Sequence, residues 1–248
     1  MTPASDFSAL EELPALDALS QLFVQDGYQV ALTGGATRDY FLGRTSPDFD
    51  LISDAPPDES ERLLASWAGS AIRGPSPFGR VSCVRSHLKV EVLTYRSPKD
   101  LYPPYDASLL FDDPLHDQLA AADLTIHAGA LMLPEHRWID PFDAVRDLRR
   151  GILATPIAPS AAILGHPSSL LRYVRFAAEL GFTIEPDLFD AMTELAAILR
   201  DNWTWRCVQT LSKILALPNA ATAAAIMRET TVMEYLPKKW RNKLATVG

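Results

Sequence analysis

The sequence predicts an α/β head, a mixed sheet with flanking helices, followed by an all-α second half. Three observations predict it. Between Tyr28 and Tyr95 short strand-patterned runs alternate with helical ones. Beyond about residue 142 only apolar spacing of three and four residues persists. The chain has 248 residues, 48% hydrophobic and 22% charged, which is long enough for a full core and ordinary in globular composition. That composition excludes a disordered, collagen-like or repeat-dominated chain.

Taken in order, Leu10, Leu13, Leu16, Leu19, Leu22 and Phe23 mark an amphipathic opening helix. Tyr28 to Thr33 reads as a strand, Gly34-Gly35 as a turn, and Ala36 to Leu42 as a short helix stopped by Gly43. Asp48 to Ser53 is a second strand and Asp58 to Trp67 a helix. Gly79 to Arg85 and Lys89 to Tyr95 supply two more strands, and Pro98 to Pro114 reads as a mobile loop rich in Pro and Asp. Helices follow at Leu170 to Leu180, Asp187 to Leu199, Trp205 to Leu215, Ala220 to Met227 and Pro237 to Leu244. The division expected is a head over residues 1–150 and a helical neck with a shortened body over 151–248, with the Pro-spaced segment Thr155 to Pro159 as its linker.

Lys and Arg number 23 against 31 Asp and Glu, a net charge of −8, so no whole-molecule positive field exists to gather nucleic acid or an anionic membrane. The expectation is a cytoplasmic protein. Met1 to Leu13 is acidic and lacks the basic, then apolar, order of a signal peptide. Cys83 and Cys207 form neither a disulfide framework nor a metal-ligand pair, and packing is their expected role. The uncharged stretch Gly151 to Leu171 carries Pro156, Pro159, His166 and Pro167, so it reads as a linker running into a helix, not a membrane span.

Chemistry concentrates in Leu32 to Leu51. A strand, a Gly34-Gly35 turn and a helix start present bare backbone N–H groups to which a phosphate can dock, with Arg38 one turn in to add charge. On the next strand a period of two sends Asp48 and Asp50 to one face and Phe49 and Leu51 to the core. Two adjacent carboxylates repel, and a divalent cation relieves the repulsion. Glu91, between Val90 and Val92, repeats the logic on another strand, so three carboxylates on one face fit two-metal phosphoryl or nucleotidyl transfer. His87, His116, His127, His136 and His166 show no metal-ligand spacing, and no Ser-His-Asp or Cys-His arrangement stands out.

The run Gly34-Gly35-x-x-Arg38-Asp39, Leu42-Gly43-Arg44, Asp48-x-Asp50 resembles the head-domain signature of class II tRNA nucleotidyltransferases (CCA-adding enzymes) and bacterial poly(A) polymerases, within the polymerase-β-like nucleotidyltransferase superfamily. The resemblance continues through Val90 to Arg96, Asp123 to Ala128, Ile139 to Phe142 with Asp147-Leu148, and Leu171 to Phe182, roughly residues 20–215. It implies a catalytic head followed by a helical neck, with Asp48 and Asp50 as ligands of two Mg²⁺ ions and Glu91 as the third catalytic carboxylate. The incoming NTP would be held by Gly34, Gly35, Arg38 and Asp39, together with Asp123, His127, His166, Ser169, Arg172 and Arg175.

The chain departs from that family at informative places. Where the family has Arg-Arg-Asp-Phe-Thr-x-Asn around the ribose, this chain has Ala121-Ala122-Asp123-Leu124-Thr125-Ile126-His127. Neutral imidazole at His127 can donate or accept in place of the amide. Where the family's neck helix carries Glu-Asp-x-x-Arg, which reads cytosine and adenine, this chain has Gly165-His166-Pro167-Ser168-Ser169, an uncharged substitute. The expected activity is therefore Mg²⁺-dependent, template-independent transfer of NMP from an NTP to an acceptor hydroxyl, with poor or altered base selectivity. The acceptor is an RNA 3′ end or a small molecule. The alternative is a non-catalytic relative that binds a nucleotide or a partner. Lys238, Lys239, Arg241 and Lys243 around Trp240 read first as a solvated helix face and second as a nucleic-acid contact, and Trp203 and Trp205 read as core filling before base stacking.

Overall fold

The computed structural model describes residues 7–69, 72–76, 79–95 and 113–247; Arg96 and all but the last two residues of the loop expected over Pro98 to Pro114 lie outside them. Helix α1 (Leu13–Gln25) leads into β1 (Val30–Thr33), α2 (Gly35–Phe41), β2 (Asp48–Ser53), α3 (Pro57–Ala68), β3 (Arg80–Arg85) and β4 (Leu88–Thr94). Each matches an element the periodicity predicts, within a few residues at its ends. The chain then adds α4 (Pro114–Ala120), β5 (Ala130–Leu133), β6 (Arg137–Ile139) and α5 (Ala144–Arg150). Six strands form one mixed sheet in the order β3-β4-β2-β1-β5-β6, with β2 and β4 parallel and the other neighbours antiparallel. Strand β5 carries no alternating signal, because Ala130 to Leu133 is buried at every position and a continuously apolar run has no period of two.

The two faces of the sheet are covered unequally. On one face Leu16, Leu19 and Phe23 of α1 and Leu63 and Leu64 of α3 pack on Val30, Leu32, Phe49, Leu51, Val90 and Val92, all nearly inaccessible to solvent. On the other, Leu115 and Leu119 of α4 cover Ala31, Ile52, Ala130 and Met132. Ile52, Asp50 and Asp48 share that second face, so α4 covers the C-terminal end of β2 and leaves its carboxylate end open.

The second half contains β7 (Ile152–Leu153), α6 (Pro159–Gly165), α7 (Ser169–Leu180), β8 (Thr183–Ile184), α8 (Pro186–Leu195), α9 (Trp205–Leu215), α10 (Ala220–Glu229) and α11 (Lys238–Ala245). Strands β7 and β8 pair in parallel, a two-residue ladder too short for any periodicity to announce. Helix α7 is the centre of this half, with Leu170, Leu171, Tyr173, Val174, Phe176, Ala177 and Ala178 all buried in its core. That core also takes in Leu124, Ile126 and Leu148 from the preceding half, so the sheet-bearing and helical parts meet through shared apolar contacts. No helix among the described residues is long and apolar enough to cross a membrane.

Candidate functional site

The carboxylate face is built by register. Asp50 lies directly opposite Glu91 in the parallel β2–β4 pair, and Asp48 opposite Lys89. Phe49, Leu51, Val90 and Val92 turn inward and are at most 1% exposed, which fixes the charged residues outward. Above Asp50 stands the turn between β1 and α2. Gly34 has φ 73°, ψ −131°, and a Cβ on it would sit 3.4 Å from Asp50 Oδ2. Only glycine adopts that backbone without strain and lets the main chain come so near the carboxylate. Thr33 ties the turn down, its hydroxyl donating to the Gly129 carbonyl at 2.8 Å. Gly129 is itself required to be small, because a Cβ there would overlap the Trp138 ring at 2.3 Å.

Two cations that sequence reasoning missed stand among these carboxylates. Lys89 Nζ lies 3.2 Å from Asp48 Oδ1 and 3.3 Å from Glu91 Oε1, and Arg80 Nη1 lies 3.0 Å from Glu91 Oε2. The signal was present: Lys89 precedes Glu91 by two on the same strand and so shares its face. These ion pairs supply part of the relief that was expected of a divalent cation. Asp50 remains the least compensated. Its carboxyl is held above the usual carboxylate range, first by desolvation and then by Glu91 and Asp48, with Arg80 and Lys89 opposing.

Magnesium fits this face in a specific sense. The donors are hard carboxylate oxygens, the Gly34 main chain leaves the space beside Asp50 Oδ2 open, and Mg²⁺ commonly uses one or two carboxylates plus substrate phosphates. Asp48 and Asp50 are the residues that would hold it. Among the described residues no three His, Cys, Asp or Glu side chains are gathered closely enough to form an all-protein cage.

A second polar group sits where the sheet meets the helical half, in a chain running Arg38, His127, Asp123, Arg172. Arg38 Nη1 contacts His127 Nε2 at 2.8 Å, and His127 Nδ1 contacts Asp123 Oδ1 at 2.8 Å. Arg172 Nε donates to Asp123 Oδ2 at 2.5 Å. Arginine can only donate, so His127 Nε2 must accept and Nδ1 must carry the proton given to Asp123. The imidazole is therefore neutral. Burial pushes its pKa down, against the pull of Asp123, and Arg38 and Arg172 add to the depression. Asp123 goes the opposite way: burial alone would raise its pKa, but Arg172 and His127 hold it well below the usual carboxylate range. Phe176 of α7 lies under the group, with the Arg38, Arg172 and Arg175 guanidinium carbons 5.3, 5.5 and 3.8 Å from its ring centre.

This arrangement changes two expectations. Arg38 donates Nε and Nη2 to the Asp39 carboxylate at 2.9 Å each as well as reaching His127, and its side chain is 11% exposed. Its charge stays beside the Gly34-Gly35 turn, but three of its donors are committed to protein. Both ring nitrogens of His127 are likewise engaged, so it does not offer the free donor or acceptor that an amide substitute for a ribose contact requires. The other expected residues are dispersed along α7 and its approach. Ser169 begins the helix and is 5% exposed, His166 accepts the Ser169 N–H at 2.8 Å through its carbonyl, and Arg175 Nη1 pairs with Glu179 Oε2 at 2.5 Å. Arg172 keeps 43% of its side chain exposed.

Elsewhere, Trp205 on α9 is 64% exposed, which corrects its reading as core filling, while Trp203 packs partly buried against the helical core. Lys243 Nζ lies 5.1 Å from the Trp240 ring centre on α11. Both cysteines are free and buried, and burial pushes the Cys83 thiol up to about 11, consistent with a packing role.

Comparison with known proteins covers both halves. Residues 30–154 match the family model described as the poly A polymerase head domain, and residues 181–242 match the one described as a probable RNA and SrmB-binding site of polymerase A. A CCA-adding enzyme of Geobacillus stearothermophilus is 32% identical over 225 residues, covering 90% of this chain and 54% of the relative. A CC-adding tRNA nucleotidyltransferase of Halalkalibacterium halodurans is 26% identical over 211 residues, covering 85% and 51%. A crystal structure of the Bacillus stearothermophilus CCA-adding enzyme in complex with CTP superposes with a TM-score of 0.79 at 28% identity, covering 95% of this chain and 58% of that one. The chain spans about half the length of the curated relatives it matches.

Proposed function

The chain belongs to the poly(A) polymerase head-domain family, and from that premise we propose that it is a Mg²⁺-dependent, template-independent nucleotidyltransferase. The observation that carries the reading is the approach of the Gly34 turn to Asp50, which places a bare main chain against a carboxylate pair on the open part of the sheet. In this reading the triphosphate lies over Gly34-Gly35 with Arg38 charge beside it, and α7 carries Arg172, whose side chain is 43% exposed while its Nε is donated to Asp123. Asp39 and His127 hold Arg38 in place as positioning residues. Two Mg²⁺ ions, when bound, supply Lewis-acid stabilisation of the charge that develops on the phosphate oxygens. The acceptor hydroxyl forms a bond to the α-phosphorus, the bond to the β-phosphate oxygen breaks, and pyrophosphate leaves while the hydroxyl proton passes to solvent or to Glu91.

The relatives' names point to an RNA 3′ end as acceptor. The residues available for base selection here are neutral: His166 and a buried Ser169 replace a charged forked pair, whose bonds are roughly twice as strong as neutral ones. We expect little preference between CTP and ATP. The test is pyrophosphate release with each NTP and tRNA lacking its 3′ triplet, followed by sequencing of the ends. The Asp48→Ala, Asp50→Ala double variant should lose activity by on the order of a thousandfold, ~4 kcal/mol. Full activity in that variant ends the metal reading, and a clean C-C-A product ends the reading of relaxed selectivity.

A second reading, a non-catalytic nucleotide binder, is favoured by one observation: Lys89 and Arg80 let the carboxylates persist without metal. Thermal stabilisation by Mg²⁺ with NTP and no pyrophosphate release would establish it.

A further inference from the structure

The ammonium of Lys89 stands between the carboxylate that would ligate metal and the one that would assist it, touching both at 3.2 and 3.3 Å. A divalent ion approaching Asp48 therefore meets a positive charge already there. Three carboxylates share the face, and Arg80 holds the far oxygen of Glu91. Among the described residues, Lys89 is the cation paired with Asp48. Its side chain is 46% exposed, so it has room to swing outward without disturbing the core. Neighbouring Val90 on the same strand is fully buried.

We propose that Lys89 is a built-in counter-ion that must leave Asp48 before a divalent cation binds, and that it sets the metal concentration the site requires. The inference rests on the metal-dependent reading of Asp48 and Asp50. Its physical content is competition: bare metal gains the Asp48 carboxylate only by displacing the Lys89 ion pair, and it gains nothing from Lys89 in return. A triphosphate arriving with the metal changes the balance, because its oxygens offer the displaced ammonium another anion. The consequence is that metal enters chiefly together with nucleotide and binds weakly ahead of it.

The experiment is Mn²⁺ titration of the nucleotide-free protein, with free Mn²⁺ counted by electron paramagnetic resonance. It compares the wild type, Lys89→Gln, Lys89→Met, Lys89→Arg, and the Asp48→Ala, Asp50→Ala double variant. Removing the ammonium should tighten Mn²⁺ binding by about tenfold, the scale expected when one like charge is withdrawn from a half-exposed site. Lys89→Arg should bind like the wild type and the double variant should not bind at this site. Lys89→Met retains most of the alkyl stem, which keeps the packing comparable. The thermal shift produced by Mn²⁺ should also be larger in Lys89→Gln than in the wild type. Unchanged or weaker Mn²⁺ binding in both neutral variants, with binding still abolished by the double variant, overturns the inference and reduces Lys89 to a cross-strand ion pair. If Mn²⁺ binding shows no dependence on Asp48 and Asp50 in any variant, the metal reading itself falls and the role of Lys89 falls with it.

Discussion

The protein holds two charged groups whose organisation differs in kind. On the open face of the sheet, Lys89 meets Asp48 and Glu91 and Arg80 meets Glu91 at 3.0–3.3 Å, with the Asp48, Lys89 and Arg80 side chains about half exposed. At the seam with the helical half, His127 and Asp123 are 8% and 12% exposed and are bonded on both sides in a continuous chain from Arg38 to Arg172. Exposure decides what each can do. Half-exposed ion pairs contribute little to stability and exchange partners readily, which suits a ligand site. Buried pairs that satisfy each other are costly to break and hold elements in place, which suits a joint.

The largest expected effect therefore belongs to the seam. Asp123→Ala leaves the His127 N–H and the inner side of Arg172 without their acceptor, and should cost about 3 kcal/mol in a urea denaturation series. A loss below about 1 kcal/mol would mean that the seam is no more committed than the open face. The next contrast is pH dependence. His127 has a folded pKa below its ordinary value of 6.5, so the unfolded state binds more protons and stability falls as pH drops through about 6.5. His127→Asn presents a carbonyl toward Arg38 and an amide toward Asp123 with nothing to titrate, so it should flatten the melting temperature between that pH and the lower folded value. A wild-type profile already as flat as the variant's would show that the imidazole is not held neutral. The smallest expected effect is on the open face. The Asp48→Asn, Asp50→Asn double variant should shift stability by no more than about 0.5 kcal/mol, with the raised pKa of Asp50 predicting a gain above the carboxylate range. A loss near 2 kcal/mol would make the carboxylate face structural and erase the distinction.

The two regions also differ in how far they can be read from the chain. The carboxylate face was legible because it is a matter of strand period and register: Asp48 and Asp50 alternate with Phe49 and Leu51, and Glu91 with Val90 and Val92. The same rule places Lys89 on that face, two positions before Glu91 on β4. Strands β5, β7 and β8 were not legible, the first because it is apolar throughout and the others because two residues carry no pattern.

The seam required the fold itself. Arg38 and His127 lie 89 residues apart, and Asp123 and Arg172 lie 49 apart. Identity along the chain shows that an arginine follows the Gly-Gly turn and that a histidine stands four residues after Asp123. Whether that arginine faces a phosphate or a neighbouring protein group depends on where helix α7 docks. Its docking is set by burial of Leu170, Leu171, Val174, Phe176 and Ala177 against Leu124, Ile126 and Leu148, an apolar fit that is non-directional and summed over many contacts. Local patterns encode faces and turns because their causes lie within a few residues. Which donors remain free at a site depends on partners that only long-range packing brings within 3 Å.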